Sequence, residues 1–393
     1  MRRVYLDYNA TTPLAAEVLQ AMMPFLTEEY GNASSIHSVG QRARAAVERA
    51  RAQVAALIGA REKEIVFTSG GTEADNMAIR GVVGASTRAR KHVITSALEH
   101  HAVLNTCQAL EAEGVEVTYV PASPVGLADP EDIRRGITPD TVLITVMHAN
   151  NELGTVQPIA EIAAIAREHK IPFHTDAVQS VGKVPVDVDT LGVDLLSLSA
   201  HKICGPKGTG ALYVRRGVRL KPLFFGGRHE RDRRAGTENV PGIVGLGAAA
   251  ERAGVQLAEE GARVAALRDE LEGHILAHVP HTGVNGDRLR RTPNTTNIYF
   301  DFVEGEPLVI ALDLKGIACS TGAACSSGAV EPSHVLTAIG LSPERARASL
   351  RFSLGRATTR EDIEYVAEVL PGVVEHLRDL SPLYKKSALA TSQ

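Results

Sequence analysis

The chain has 393 residues, 44% of them hydrophobic and 22% charged, with a formal net charge of −4. That is the composition of an ordinary globular protein long enough for two domains, and its charge gives no electrostatic reason to expect nucleic acid. The start, Met1-Arg-Arg-Val-Tyr-Leu-Asp, has no apolar signal core, and no run of about 18 apolar residues occurs, so a cytoplasmic protein without a membrane span is expected.

In chain order, Arg42, Arg44, Arg49 and Arg51 alternate with alanine at helical spacing, which predicts a solvated helix face. Short apolar runs then alternate with helical stretches. Strands are predicted at Glu64–Thr68, His92–Thr95, Glu116–Val120, Val142–Met147, Pro172–Thr175, Asp194–Ser199 and Ala211–Val214. Helices are predicted between them at Glu73–Gly84, Ala102–Glu113, Asp129–Arg135 and Pro158–His169. This order implies an α/β fold with a mostly parallel seven-stranded sheet covered on both faces, where ligands bind beyond the carboxyl ends of the strands.

One long helix is predicted from 240 to 280, entered by Asn239-Val-Pro. A smaller α+β unit follows: strand Asn294–Phe300, helix Glu306–Lys315, strand Ser349–Leu354 and closing helix Arg360–Leu377. A large domain over 15–255 is expected, with 1–14 and 256–393 forming a small one. The polar tail Lys385–Gln393 is expected to fray.

The four cysteines, Cys107, Cys204, Cys319 and Cys325, are too sparse for a disulfide framework and contain no CxxC pair. Together with His100, His101, His201 and His229 they offer no ligand pair of familiar zinc spacing, so no resident metal is expected.

Several segments carry chemistry. The run ending at Ser197-Leu-Ser199-Ala-His201-Lys202 breaks at Gly205-Pro206, which puts a lysine on a strand tip. Asp176 ends the preceding apolar run, and Gln179 follows it. A lysine and a carboxylate on neighbouring tips are the two protein groups that pyridoxal phosphate (PLP) chemistry most needs. A solvated loop lysine and a turn aspartate are the plain alternative. In Phe67-Thr-Ser-Gly-Gly71-Thr72-Glu-Ala-Asp-Asn76, glycines and a helix start offer donors to a phosphate. A Gly-Gly turn with a capping threonine reads equally well.

Glu99-His100-His101 places a ring at a strand end, to stack on a planar cofactor or to cap a helix. Met147-His-Ala-Asn-Asn151-Glu-Leu-Gly154 offers an amide donor, or ordinary turn chemistry. Arg351-Phe-Ser-Leu-Gly-Arg356 offers a guanidinium for a substrate carboxylate, or a surface salt bridge. In Ala318-Cys-Ser-Thr-Gly-Ala-Ala-Cys325-Ser-Ser-Gly-Ala-Val, small residues surround a thiol suited to attack and transfer, if its thiolate is accessible.

These segments, in this order, resemble the cysteine desulfurases of the class V aminotransferase family, within the fold-type I PLP enzymes. The likeness runs from Tyr5-Leu-Asp-Tyr-Asn-Ala-Thr-Thr-Pro13 to Leu380-Ser-Pro-Leu383. It is carried by Thr68–Asn76, Glu99-His100, His148–Gly154, His174–Lys183, Ser199–Gly208, Ala235-Gly-Thr237, Gly322–Ser326 and Arg351–Arg356.

The resemblance implies roles residue by residue. Lys202 is the Schiff-base lysine, Asp176 pairs with the pyridinium nitrogen, and Gln179 bonds the cofactor's phenolic oxygen. His100 stacks on the ring and assists catalysis. Gly71, Thr72, Ser199 and His201 hold the phosphate, while Thr237 reaches the phosphate of a partner subunit in a homodimer. Asn151 and Arg351 hold the substrate carboxylate, helped by Asn9.

Cys325 accepts the sulfur, on a loop of about 318–332 that looks like the long-loop group of iron–sulfur and nitrogenase assembly. It is the one residue expected to meet an iron–sulfur cluster, during transfer. Cys204 stands where relatives often carry an aromatic residue; it and Cys319 are read as structural.

The implied reaction is PLP-dependent removal of sulfur from L-cysteine, giving L-alanine and a persulfide on Cys325. The sulfur then passes to an iron–sulfur scaffold or a tRNA-thiolation protein. Selenocysteine lyase and another class V aminotransferase are the nearest alternatives. A transaminase has no use for a cysteine on a loop of small residues, but the sequence does not separate selenium from sulfur. A non-catalytic PLP-binding scaffold would not need the full set of Lys202, Asp176, His100 and Cys325.

Overall fold

The computed structural model describes residues 2–321, 332–382 and 384. The expected frayed tail at 385–393 and the cysteine segment at 322–331 lie outside them.

The chain opens with β1 (Val4–Tyr5), α1 (Ala16–Thr27) and α2 (Ser38–Leu57). Then β2 (Ile65–Thr68), α3 (Gly71–Ala85), β3 (His92–Ser96), α4 (His101–Ala112), β4 (Glu116–Val120) and α5 (Pro130–Gly136) alternate. They are followed by β5 (Thr141–Thr145), α6 (Ile159–Glu168), β6 (Phe173–Asp176), α7 (Val188–Leu191), β7 (Leu195–Ser199) and β8 (Gly210–Val214).

The seven strands from β2 to β8 form one sheet in the order β2-β8-β7-β6-β5-β3-β4. β8 runs antiparallel to both its neighbours, and the remaining pairings are parallel. All residues of β2, β3, β5, β6, β7 and β8 are buried, as a sheet covered on both faces requires.

Helix α8 (Val240–His278) is capped by Asn239, whose side chain accepts the Gly242 N–H. Its first turns bury Val240, Ile243, Leu246 and Ala250 in the large core. Its last turns bury Val264, Leu267, Leu271 and Ile275 in a second core.

Around that second core lie β9 (Thr282–Asn285), β10 (Thr295–Phe300), α9 (Gly305–Asp313), β11 (Ile317–Ala318) and β12 (Ser320–Thr321). α10 (His334–Ala338), α11 (Pro343–Arg347), β13 (Ser349–Ser353) and α12 (Arg360–Leu380) complete the chain. A four-stranded sheet has the order β12-β13-β10-β9, and β1 pairs with β11.

The solvated arginine face expected on α2 is corrected at Arg51. Arg42, Arg44 and Arg49 are exposed, but Arg51 is buried. Its guanidinium donates to both carboxylate oxygens of Glu230, at 2.7 and 2.8 Å, and to the Ile65 carbonyl at 2.9 Å. Glu230 also accepts the Phe67 N–H at 3.0 Å, so this pair fixes the strand that leads into the glycine loop.

Candidate active site

The segments singled out in the sequence converge at the carboxyl ends of the parallel strands. Gly70-Gly71 follows β2, His100 follows β3, Asn151 follows β5, Asp176 ends β6 and Lys202 follows β7.

Lys202 sits on a short 3-10 turn, Ala200–Lys202. Its Nζ donates to the carbonyls of Asn9 and Ala10. Burial, reinforced by the Arg351 charge, pushes its amine down to about 8. The turn is braced by Thr12, whose N–H and hydroxyl both donate to the His201 carbonyl, at 3.0 and 2.8 Å. His201 meets the Thr11 hydroxyl through Nδ1 at 3.1 Å, and burial pushes its imidazole down to about 4, so the ring is neutral.

Asn9 organises this floor. Its carbonyl also accepts from Gln179 Nε2 at 3.0 Å, and its Oδ1 accepts from Lys183 Nζ and Asn294 Nδ2, both at 2.9 Å. Its Nδ2 donates to the Asn151 carbonyl and the Thr295 hydroxyl. That corrects the expectation that Asn9 helps hold a substrate carboxylate: its amide is spent inside the protein.

Asp176 is buried, and its Oδ1 accepts the Val178 N–H at 2.9 Å. It makes no other hydrogen bond among the described residues. Burial raises its carboxyl, while His100 and Lys202 pull it back down. Beside it, Asp75 is buried, its Oδ1 3.7 Å from His174 Nε2 and without a hydrogen bond among the described residues, and burial plus the Asp176 charge hold its carboxyl well above the usual range. His174 lies between the Thr145 and Ser197 hydroxyls, its ring kept neutral by burial.

The glycine loop forms a cradle. Gly70 adopts φ +155°, and a Cβ on Gly71 would stand 2.7 Å from Val178 Cγ2. A Cβ on Gly210 of β8 would meet Gly70 Cα at 2.7 Å, so backbone approaches backbone where side chains would not fit. Thr72 is exposed on the first turn of the 15-residue α3, and Ser199 is buried at the end of β7. Thr237 is exposed on the outer segment before α8.

At the other side, Arg351 is buried on β13 and donates to Asp7 Oδ1 at 2.7 Å and to the Asn151 carbonyl at 3.0 Å. Its Nε–H is buried and has no hydrogen-bond partner among the described residues. The structure therefore removes the surface salt-bridge reading. Asn151 contributes its carbonyl to this arrangement, and its side chain bonds no described residue.

His100 is the cap of helix α4. Its Nδ1 accepts the Ala102 N–H at 3.1 Å at the start of α4, which leaves the neutral ring's proton on Nε2. Burial lowers its pKa, against the Asp176 charge. The preceding Glu99 is fully buried and accepts from the Ser96 hydroxyl and the Met147 N–H, and burial pushes its carboxyl up to about 8. Its carbonyl meets His334 Nε2 at 3.0 Å.

Glu152, also buried, accepts from the Ser333 hydroxyl at 2.5 Å. Cys325 lies outside the described residues, but the flanks of its segment do not. Ser320 pairs with Arg351 across β12 and β13, and Ser333 and His334 return onto Glu152 and Glu99.

The Aminotransferase class-V profile matches residues 4–366. The chain belongs to the class-V aminotransferase family. It is 53% identical to the cysteine desulfurase IscS of Dictyoglomus turgidum, over 98% of both chains. It is equally identical to the cysteine desulfurase IscS of Methanosarcina thermophila, over 98% of this chain and 95% of that one. Among solved structures, a NifS-like protein superposes with a TM-score of 0.90 at 36% identity, covering 96% of this chain and all of the other. A structure of SspA in complex with cysteine gives 0.81 at 40% identity, over 91% of this chain and all of that one. Within its family the chain is thus one of the cysteine desulfurases, and PLP is the cofactor.

The residues present fit that cofactor. An amine pushed toward neutrality, a buried carboxylate with one oxygen unpartnered, and a glycine cradle at a helix start match an aldehyde, a pyridinium and a phosphate. Lys202, Asp176 and His100 would hold the ring, and Gly71, Thr72, Ser199 and His201 the phosphate.

Sequence reasoning missed Asp7, Asp75 and Lys183, and gave no role to the carboxyls of Glu99 and Glu152. All five lie inside quoted segments, where the only signal was a titratable residue beside a residue already chosen. Cys319 and Cys107 are buried, their thiols each pushed up to about 12 by burial, as structural cysteines are. Cys204, also free, is partly buried and lines a cavity of about 110 Å³ with Lys183, Lys202, Tyr8 and Arg252.

Proposed function

We propose that this cysteine desulfurase takes sulfur from L-cysteine, releases L-alanine and holds the sulfur as a persulfide on Cys325, to be passed to an acceptor for iron–sulfur assembly or tRNA thiolation. The observation that carries the reading is that Asp176, His100 and Arg351 all lie within electrostatic reach of one another or of Lys202, in a chain matched to a cysteine desulfurase over 98% of its length.

PLP, when bound, supplies an electron sink for the bond broken at the substrate's Cα. Arg351, fixed by Asp7, grips the substrate carboxylate with N–H groups that no acceptor among the described residues uses. The Lys202 amine, with its pKa brought near 8, removes and returns the Cα proton at useful rates near neutral pH. Asp176 would pair with the pyridine nitrogen and keep it protonated. His100 presents its Nε2 proton toward the substrate sulfur. Gln179 would donate to the cofactor's phenolic oxygen, and Gly71, Thr72, Ser199 and His201 would hold its phosphate.

The test is incubation with L-cysteine, with alanine and sulfide measured beside the visible spectrum. Cys325→Ser is expected to abolish sulfide production with the PLP absorbance intact; retained turnover would sink the assignment. Lys202→Ala is expected to lose the visible band, and an unchanged spectrum would contradict the Schiff-base role. L-selenocysteine run alongside separates a lyase from a desulfurase.

The wider setting is part of the same proposal: a cytoplasmic homodimer, with domains at 15–255 and at 1–14 plus 256–393. No helix among the described residues is long and apolar enough to cross a membrane. Leu19, Met23 and Leu26 form an exposed apolar stripe on α1, and Phe225 is 81% exposed near Thr237 in sequence. Such patches suit a second copy of the chain, and sedimentation velocity measures it.

A further inference from the structure

Lys183 has no role in the scheme above, yet it is tied to two residues that do. Its Nζ donates to Gln179 Oε1 at 2.6 Å and to Asn9 Oδ1 at 2.9 Å. No carboxylate bonds it among the described residues. The charged and titratable groups around it are Lys202, Arg351 and the Cys204 thiol, and burial holds its amine well below the usual lysine range. Both of its hydrogen bonds go to side-chain amide oxygens, which only accept.

Those bonds settle which way two amides face. With Oε1 engaged by Lys183, Gln179 turns its Nε2 to the other side, where one N–H meets the Asn9 carbonyl and the second is left over. With Oδ1 engaged by Lys183 and Asn294, Asn9 turns its Nδ2 to Asn151 and Thr295, while its carbonyl receives Lys202. One amine therefore orients the floor under the Schiff-base lysine.

We propose that Lys183 is a positioning residue, a donor that fixes the Gln179 amide so that its N–H, not its carbonyl, meets the phenolic oxygen of the PLP joined to Lys202. The inference rests on the PLP reading given above. A flipped amide would set a carbonyl oxygen against that phenolic oxygen.

The test is a pH titration of the visible band of the PLP-loaded protein, without substrate. The groups facing Lys202 (Arg351, Asp176, Asp7, His100, His201) are the same in every variant. Lys183→Met is expected to raise the midpoint by about half to one pH unit. Its phenolic oxygen, short of a donor, holds the proton shared with the Lys202 nitrogen more tightly. A fall in kcat of about tenfold, with KM little changed, is expected alongside, the size of one lost buried hydrogen bond.

Gln179→Leu should shift the midpoint similarly, and the double variant no further than Gln179→Leu alone. An unmoved midpoint in Lys183→Met, or additive shifts in the double variant, overturns the proposal. Should Lys183→Met fold poorly, Lys183→Gln returns uncharged donors; it is expected between wild type and Gln179→Leu, and a midpoint beyond Gln179→Leu overturns the idea. Absence of a visible band in the wild-type protein would instead break the PLP reading itself.

Discussion

Arg351 donates to Asp7 Oδ1 at 2.7 Å, so the start of the chain holds the guanidinium on β13 in place beside Lys202. Arg351→Lys keeps the charge and loses the planar fork. It is expected to raise KM for L-cysteine by about tenfold or more. Asp7→Asn, which leaves the fork but loosens its support, should raise KM less. Steady-state kinetics with both variants check the order; an Arg351→Lys enzyme with normal KM would remove the carboxylate-binding role.

Gly71→Ala tests the cradle. The added methyl meets Val178 Cγ2 at 2.7 Å, so helix α3 or the Asp176–Gln179 segment must give way. Overpacking of this kind is expected to weaken PLP retention by about tenfold while leaving the fold intact. Dialysis followed by absorbance titration with PLP measures it, and unchanged affinity would argue that the phosphate lies elsewhere.

Glu152 gives a pH signature. Burial pushes its carboxyl from 4.5 up to about 7. Between those values the folded chain holds a proton that the unfolded chain has lost. Its contribution is therefore fully present below 4.5 and declines as pH rises through about 7. Glu152→Gln carries no such titration, so its Tm relative to wild type should climb between about pH 5 and about pH 7.5. A Tm difference that stays constant across that range would show that Glu152 titrates as an ordinary carboxyl.

The buried pair of Arg51 and Glu230 is expected to be costly to break and cheap to replace. Arg51→Met leaves a buried carboxylate holding only the Phe67 N–H, at a cost of about 3–5 kcal/mol. Arg51→Met with Glu230→Leu should recover much of that loss. Denaturant midpoints compare the two, and a double variant as unstable as the single one would contradict the account.

What the sequence made legible follows from where chemistry sits in this fold. Strand tips carry short polar segments between apolar runs, so Gly71, His100, Asn151, Asp176 and Lys202 stood out against Val, Ile and Leu. The seven-stranded sheet was legible for the same reason.

The floor of the site was not. Asn9 follows a strand of two residues, too short for any period to show, and its seven hydrogen-bond partners come from β10, β13 and four loops. Lys183 looks like any turn lysine until Gln179 and Asn9 fold onto it. Arg51 shares its spacing with three exposed arginines, and only Glu230, far along the chain, sets it apart. Cys325 is named from the sequence alone, and its segment lies outside the described residues.

Helix α8 has a consequence for how the protein comes apart. Its first turns belong to one apolar core and its last turns to the other, while the stretch between lines the cavity behind Lys202. Neither core can lose its share of the helix without releasing the end that anchors the other. The two halves should melt as one cooperative unit, giving a single calorimetric peak from a chain that has two hydrophobic centres.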